Sequence, residues 1–324
     1  MGLLRINSGS VCRHAATLLS FCIAICGLQA TGQEIEPIIR PSQSDWIPKP
    51  EKAAKTLFEW AVGNEAVPPE DDEDDSIITD RPHFSEASNL VGKGRIQIET
   101  GYTYSGDQSA VSALFGSPAV DQRVQSHSFP ETLLRAGLFA EWFEFRLAYN
   151  FLIEQTDTTG QPRSTFRGSD DLYVGAKLAL TEQKGWLPEI ALFPQALLPI
   201  GDSHFTNEQV LPGFNLAYSW KINDFIELEA NTQVNRRRDD AAHFYTEFIQ
   251  TANLEYTFTK KFGGFTEWFC FIPNGSISAL PQHYFHAGFV YLFTKYVQYD
   301  VHAAVGLTKA SDDFFVGTGL SVKF

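Results

Sequence analysis

From Arg95 to its last residue the chain alternates apolar and polar side chains with a period of two. RIQIETGYTY (95–104) sets Ile96, Ile98, Thr100, Tyr102 and Tyr104 against Arg95, Gln97, Glu99, Gly101 and Thr103. FEFRLAYNF (143–151) sets Phe143, Phe145, Leu147, Tyr149 and Phe151 against Glu144, Arg146 and Asn150. FNLAYSWKI (214–222), IELEANTQVN (226–235), VQYDVHAAVGL (297–307) and FFVGTGLSVKF (314–324) continue the pattern. Successive side chains of a strand point to opposite faces, so these runs are strands with one apolar and one polar face. Twelve strands are expected, over 95–105, 128–140, 143–155, 169–181, 187–200, 210–222, 226–238, 242–259, 261–273, 281–294, 297–309 and 313–324. Most supply the roughly 9–11 residues that a tilted strand needs to cross a bilayer. The fifth contains Pro194, which lacks a ladder donor and predicts a bulge or twist. The ninth carries aromatics on both faces, which leaves its register open.

The connections sort by length. After strands two, six, eight and ten they are tight: Glu141-Trp142, Asn223-Asp224, Lys260 and Lys295-Tyr296. The link after strand four is modest, and those after the odd-numbered strands are mostly longer, the longest spanning 106–125. Short turns at one rim, long loops at the other and an even strand number form the outer-membrane barrel pattern. Trp142, Trp186, Trp220, Phe225, Phe258, Phe262 and Tyr296 lie near the short-turn rim and predict an interfacial girdle. A soluble β-sandwich would also alternate, but it explains neither the sorted loops nor the charges of both signs on the polar faces. The expected fold is all-β: a transmembrane antiparallel β-barrel over residues 78–324. It must close, because hydrocarbon cannot satisfy an open sheet edge.

The N-terminus fits export. Arg5 and Arg13 precede the apolar run 15–30, and Ala30 and Gly32 supply the small residues of a cleavage site after residue 32. An uncleaved anchor is the other reading of residues 1–32. Cleavage removes Cys12, Cys22 and Cys26 and leaves Cys270 alone, so no intramolecular disulfide is available. Residues 33–77 read as an acidic periplasmic tether, with a short amphipathic helix carrying Leu57, Phe58 and Trp60. The acidic run 70–75 lacks the Gly and Glu spacing of an EF-hand and reads as a solvated linker. A net charge of −14 argues against nucleic acid as a partner, since a phosphate-backbone binder needs clustered Lys and Arg.

ITDRPHFSEASNLVGKGRIQIETGYTY (78–104) resembles the opening of outer-membrane proteins of the MetA-pathway of phenol degradation family. Thr79, Asp80, Arg81, Pro82 and Phe84 match it, as do Gly94 and the first-strand residues Gln97, Glu99 and Gly101. His83 departs from the acidic residue expected after the proline. A second block also matches, with Asp171, Gly175 and Lys177 followed by Pro199, Gly201 and Asp202. The resemblance implies an outer-membrane transporter, with a link to aromatic compounds carried by the family's name. Phe324 resembles the terminal aromatic that such barrels present to the outer-membrane assembly machinery.

A twelve-stranded barrel is wider than the eight-stranded kind that side chains fill and narrower than open porins. Its expected polar interior includes Arg95, Glu99, Arg135, Glu144, Arg146, Lys177, Glu227, Glu229, Asp300 and His302. These groups either serve a passing solute or pair with one another and close the interior. Asp80-Arg81-Pro82 is either a plug, with Arg81 paired to Glu99 or Glu144, or a turn that sets how the chain enters the barrel. No catalytic, cofactor or metal residue is expected. Ser203 and His204 are chain neighbours, a poor arrangement for nucleophile and base, and the histidines lack ligand spacing. His283 and His286 are three apart and should face opposite sides of a strand. The expected role is passive uptake of small, aromatic or hydrophobic solutes by an exported barrel embedded in outer-membrane lipid. The alternatives are a non-conducting structural or surface-binding barrel, or less plausibly a lipid hydrolase.

Overall fold

The computed structural model describes residues 54–63, 76–112, 119–239 and 241–324. The expected signal peptide and the acidic run lie outside the described residues. Each alternating run forms a strand: β1 (Ile96–Ser112), β2 (Ala119–Gly137), β3 (Phe143–Thr158), β4 (Ser164–Ser169), β5 (Leu172–Thr181) and β6 (Glu189–Leu198). β7 (Leu211–Lys221), β8 (Ile226–Arg238), β9 (Phe244–Thr259), β10 (Phe262–Asn274), β11 (Gln282–Thr294), β12 (Val297–Gly306) and β13 (Phe314–Lys323) follow. β4 and β5 both pair with β3 and are two lengths of one stave, so the segments make twelve staves. Sequential staves pair antiparallel, and β1 joins β13 as well as β2, which closes the barrel. The closed ladder excludes the sandwich.

Burial is inverted relative to a soluble protein. Phe285, Phe289, Val301, Val305 and Leu320 are exposed on the outer face, while His286, Asp300 and Ser321 on the same staves are buried within. At the short-turn rim the aromatics form a near-continuous band: Trp142 contacts Phe143, Phe225 contacts Phe258, and Phe258 contacts Phe262. Trp220 donates its indole N–H to the carbonyl of Trp186. The short helix α1 (Leu57–Ala61) docks at this rim, with Trp60 and Trp142 rings 5.3 Å apart. A reciprocal capping box starts it: Thr56 Oγ1 accepts from the Glu59 N–H, and the Glu59 carboxylate accepts from the Thr56 N–H.

Four details depart from the pattern reading. The longest loop is mostly strand: β1 and β2 extend past the membrane as a hairpin over Asp107–Ser112 and Ala119–Gln125. Polar residues occupy both faces there, so alternation stops signalling a strand that has left lipid. The fourth stave breaks at Asp170–Asp171, where Asp171 accepts hydrogen bonds from the Gly201 and Asn207 N–H groups. Pro194 causes no register change; β5 and β6 keep one register through Gly175↔Gln195 and Leu178↔Leu192 and lose only the pairings between. The bulges sit elsewhere, one of them in β2 at Phe129–Pro130. In β10 the ambiguity resolves with Phe265, Glu267, Phe269 and Phe271 buried in the lumen and Phe262, Trp268 and Ile272 facing out.

Candidate functional site: a plugged lumen

Residues 77–91 run inside the barrel, not along its surface. The Ile77 N–H donates to Lys295 O in the β11–β12 turn, so the segment goes in at the short-turn rim. It returns to that rim, where the Gly94 N–H donates to Gly137 O just before β1 begins. Thr79, Asp80, His83, Ser85, Ala87, Ser88 and Val91 are all buried. A non-strand backbone at membrane depth needs partners for its N–H groups. Carboxylates of the wall supply them. Glu99 accepts from the Asp80 and Arg81 N–H groups, Glu267 from those of Phe84 and Ser85, and Glu144 from that of Val91. Asn231 Oδ1 accepts from the Glu86 N–H.

The plug side chains are held by charge. Asp80 contacts Arg146 at 2.7 Å, Arg135 at 3.3 Å and Lys177 at 3.3 Å. Burial alone would raise the Asp80 pKa, but Arg135, Lys177 and Arg146 together hold it well below the usual carboxylate range. Arg135 also contacts Glu144 at 2.8 Å and Glu99 at 3.1 Å, so the wall charges pair among themselves and with the plug. Lys177 Nζ donates to the carbonyls of Ala87 and Asn89, both at 2.9 Å. Arg81 reaches across to Glu131 at 2.9 Å and Asp300 at 3.4 Å. Room for its guanidinium comes from the facing pair Gly101 and Gly319, where an added Cβ would fall 2.3 and 2.4 Å from Arg81 atoms.

A second anchor surrounds His83. Its Nδ1 hydrogen-bonds Ser85 O at 2.5 Å; its Nε2 is 2.6 Å from Glu255 and 3.7 Å from Glu229. Burial would lower the His83 pKa, but Glu229, Glu255 and Glu267 raise it well above the ordinary value. Nearby, Glu267 contacts His286 Nδ1 at 2.9 Å, and His286 Nε2 meets His302 Nδ1 at 3.0 Å. Toward the long loops the lumen opens into a cavity of about 1180 Å³, floored by Asp80, Arg81, His83 and Phe84 of the plug. Two apolar clusters face it. One is Leu133, Ala148, Tyr173, Leu197 and Leu211; the other is Ile249, Phe269, Phe271, Tyr284, Ala304 and Phe315, with Phe84 stacked on Phe269 at 4.6 Å.

Most of the expected interior residues therefore meet in one network: Asp80, Arg81, Glu99, Arg135, Glu144, Arg146, Lys177 and Asp300. Glu229 and His302 are buried in the lumen as well. Arg95 does not join them; it precedes β1 and is exposed at the rim. Glu227 faces inward but is only half-buried near the same rim. The expected partners of the Arg81 guanidinium were Glu99 or Glu144, whereas it binds Glu131 and Asp300, because Glu99 is occupied by plug backbone. Glu131, Asn231 and His286 are further members of these networks; their inward strand parity was the available signal. His283 and His286 do face opposite sides, with His283 against Trp268 outside. Arg237 and Arg238 end β8 and pair with Glu247 and Glu208.

The matched motifs coincide with the lock. Thr79 through Phe84, Gln97, Glu99 and Gly101 build the plug contacts. Asp171, Gly201 and Asp202 tie the broken stave to its neighbour, with Asp202 accepting from the Ser169 N–H. A comparison with curated proteins finds no match. Among solved structures the chain is similar to the COG4313 outer membrane channel from Pseudomonas putida F1. That likeness has TM-score 0.57 and 10% identity, over 73% of this chain and 98% of that one. It also aligns with the translocator domain of the autotransporter NalP from Neisseria meningitidis (TM-score 0.45, 10% identity, 72% and 89% covered). The family model described as "Putative MetA-pathway of phenol degradation" matches residues 79–324. A match running from the first plug residues through every stave to Phe324 means that the chain belongs to the MetA-pathway of phenol degradation family.

Proposed function

We propose that this barrel is an outer-membrane channel for passive uptake of small aromatic or hydrophobic solutes. In this reading the plug gates its periplasmic end. The observation that carries the reading is the lumenal cavity of about 1180 Å³, in which two facing apolar clusters interrupt an otherwise charged interior. A barrel that only needed to close would pair charges throughout. Rings presented at the surface of a cavity open to solvent instead cost hydration and favour a ligand with an apolar face. The family's description and the similarity to a solved outer membrane channel agree with it. The exposed ring of Phe324, whose backbone closes the seam with Ile96, fits a terminal signal for the assembly machinery.

The test is current through planar bilayers from the folded chain and from a chain lacking residues 76–91, combined with vesicle uptake of phenol and of a sugar of similar size. Small or rare steps from the whole chain, larger steps after deletion, and uptake favouring phenol support the reading. No current from either protein, once insertion is verified, would replace it with a non-conducting, solute-binding barrel.

A further inference from the structure

We infer that His83, Glu229 and Glu255 form a binding site for a divalent transition cation of the zinc class, which latches the plug to β8 and β9. Their ligand atoms all lie within 4.8 Å of one another. Around a four-coordinate zinc, with bonds of about 2.0–2.2 Å, donor atoms stand roughly 3.4 Å apart. The His83 Nε2 distances of 2.6 Å to Glu255 and 3.7 Å to Glu229 bracket that value, so side-chain shifts of under about an ångström admit the ion.

The imidazole is set up as a ligand. Ser85 O can only accept, so Nδ1 keeps its proton, while the proton that Nε2 shares with Glu255 in the metal-free site is the one a bound cation displaces. A backbone carbonyl that fixes one ring nitrogen is the usual support behind a metal-bound histidine. The charge balance asks for a cation too. Glu229 stands opposite Glu255's neighbour Asn253 on β9, and Glu227 stands directly opposite Glu255. Three glutamates thus share one histidine.

Two buried groups point to a missing partner. Asn253, fully buried, donates Nδ2 to Glu229 Oε2 at 3.1 Å, yet its Oδ1 has no hydrogen-bond partner among the described residues. Ser219, opposite Glu229 on β7, is 3% exposed and its Oγ is likewise without one. These oxygens belong to the ladder neighbours of Glu229 and are available to a metal-bound water. Imidazole with carboxylate donors selects zinc over magnesium or calcium. Glu255, whose side chain is 39% exposed at the rim, gives the ion its way in. The site stands whether or not the barrel conducts, because its readout is metal uptake.

The experiment is calorimetric titration of Zn²⁺ into the untagged chain, folded in detergent micelles and stripped with a chelator, with Mg²⁺ as the comparison ion. One saturable Zn²⁺ site per chain is expected. His83→Gln, Glu229→Gln and Glu255→Gln should each weaken it at least about tenfold. Glu255→Gln sits at the rim and is the variant least able to disturb folding, which heat-shifted gel migration verifies. Absence of saturable Zn²⁺ uptake by the folded wild-type chain overturns the inference, as does uptake unchanged in Glu255→Gln.

Discussion

At the scale of single residues, the plug is locked by one acid and one base read in opposite directions. Asp80 gathers three cations, and Arg81 spans two carboxylates. Replacing Asp80 by Asn leaves Arg135, Arg146 and Lys177 short of a counter-charge in a buried site. The expected loss is about 3–5 kcal/mol in a urea titration of the micelle-folded chain. Its pH dependence has a definite sign. The folded pKa lies below the unfolded value of 3.8, so the contribution is complete above 3.8 and is lost as pH falls through the lower folded value. The gap between wild type and Asp80→Asn should therefore stay constant from pH 7 to 5. A gap that closes within that range contradicts the assignment. The glycine pair makes a second prediction. Gly319→Ala puts a methyl into the Arg81 guanidinium and should cost about 1–3 kcal/mol by overpacking. In an Arg81→Ala background the same substitution should cost little, and a double-mutant cycle measures the difference.

At the scale of elements, each stave separates two solvents one residue apart. On β12, Val301 faces lipid while Asp300 and His302 face the lumen. Val301→Arg should destabilise the barrel by about 2–4 kcal/mol at mid-membrane depth. His302→Gln, one residue on, should leave insertion into vesicles intact, and the two outcomes are read by the same folding assay. Strand assignments survived wherever this contrast was strong. They blurred where it was weak: in the β1–β2 hairpin beyond the membrane, which is polar on both faces, and in β10, where Phe265, Phe269 and Phe271 turn aromatic rings inward. Those inward rings are not errors of pattern. Phe271 lines the cavity, Phe269 packs behind it, and Phe265 packs against His83 of the plug.

At the scale of the molecule, the plug and the wall satisfy one another, and the space left above them is lined by Phe271 and Phe315 on one side and Leu133 and Leu197 on the other. Removing both rings with Phe271→Ala and Phe315→Ala should lower phenol uptake severalfold, since an aromatic contact contributes about 0.5–1.5 kcal/mol beyond its buried area. Ion current through the same variant should fall little or rise. Equal losses for phenol and for ions would mean that the rings only shape the barrel.

The sequence by itself determined the staves, their order and the closed barrel, because lipid and lumen impose a period of two that each strand displays locally and because hydrocarbon forbids an open edge. It also marked most of the lock, since a charge at an inward position of a lipid-facing strand has nowhere else to go. Only the tertiary structure decided which charge meets which. Arg81 could reach several carboxylates, and the choice of Glu131 and Asp300 follows from plug backbone occupying Glu99 and from two glycines meeting across β1 and β13. The grouping of His83 with Glu229 and Glu255 is likewise a matter of folding. Residues separated by more than a hundred positions become neighbours when the chain is threaded through its own barrel, and no local period records that passage.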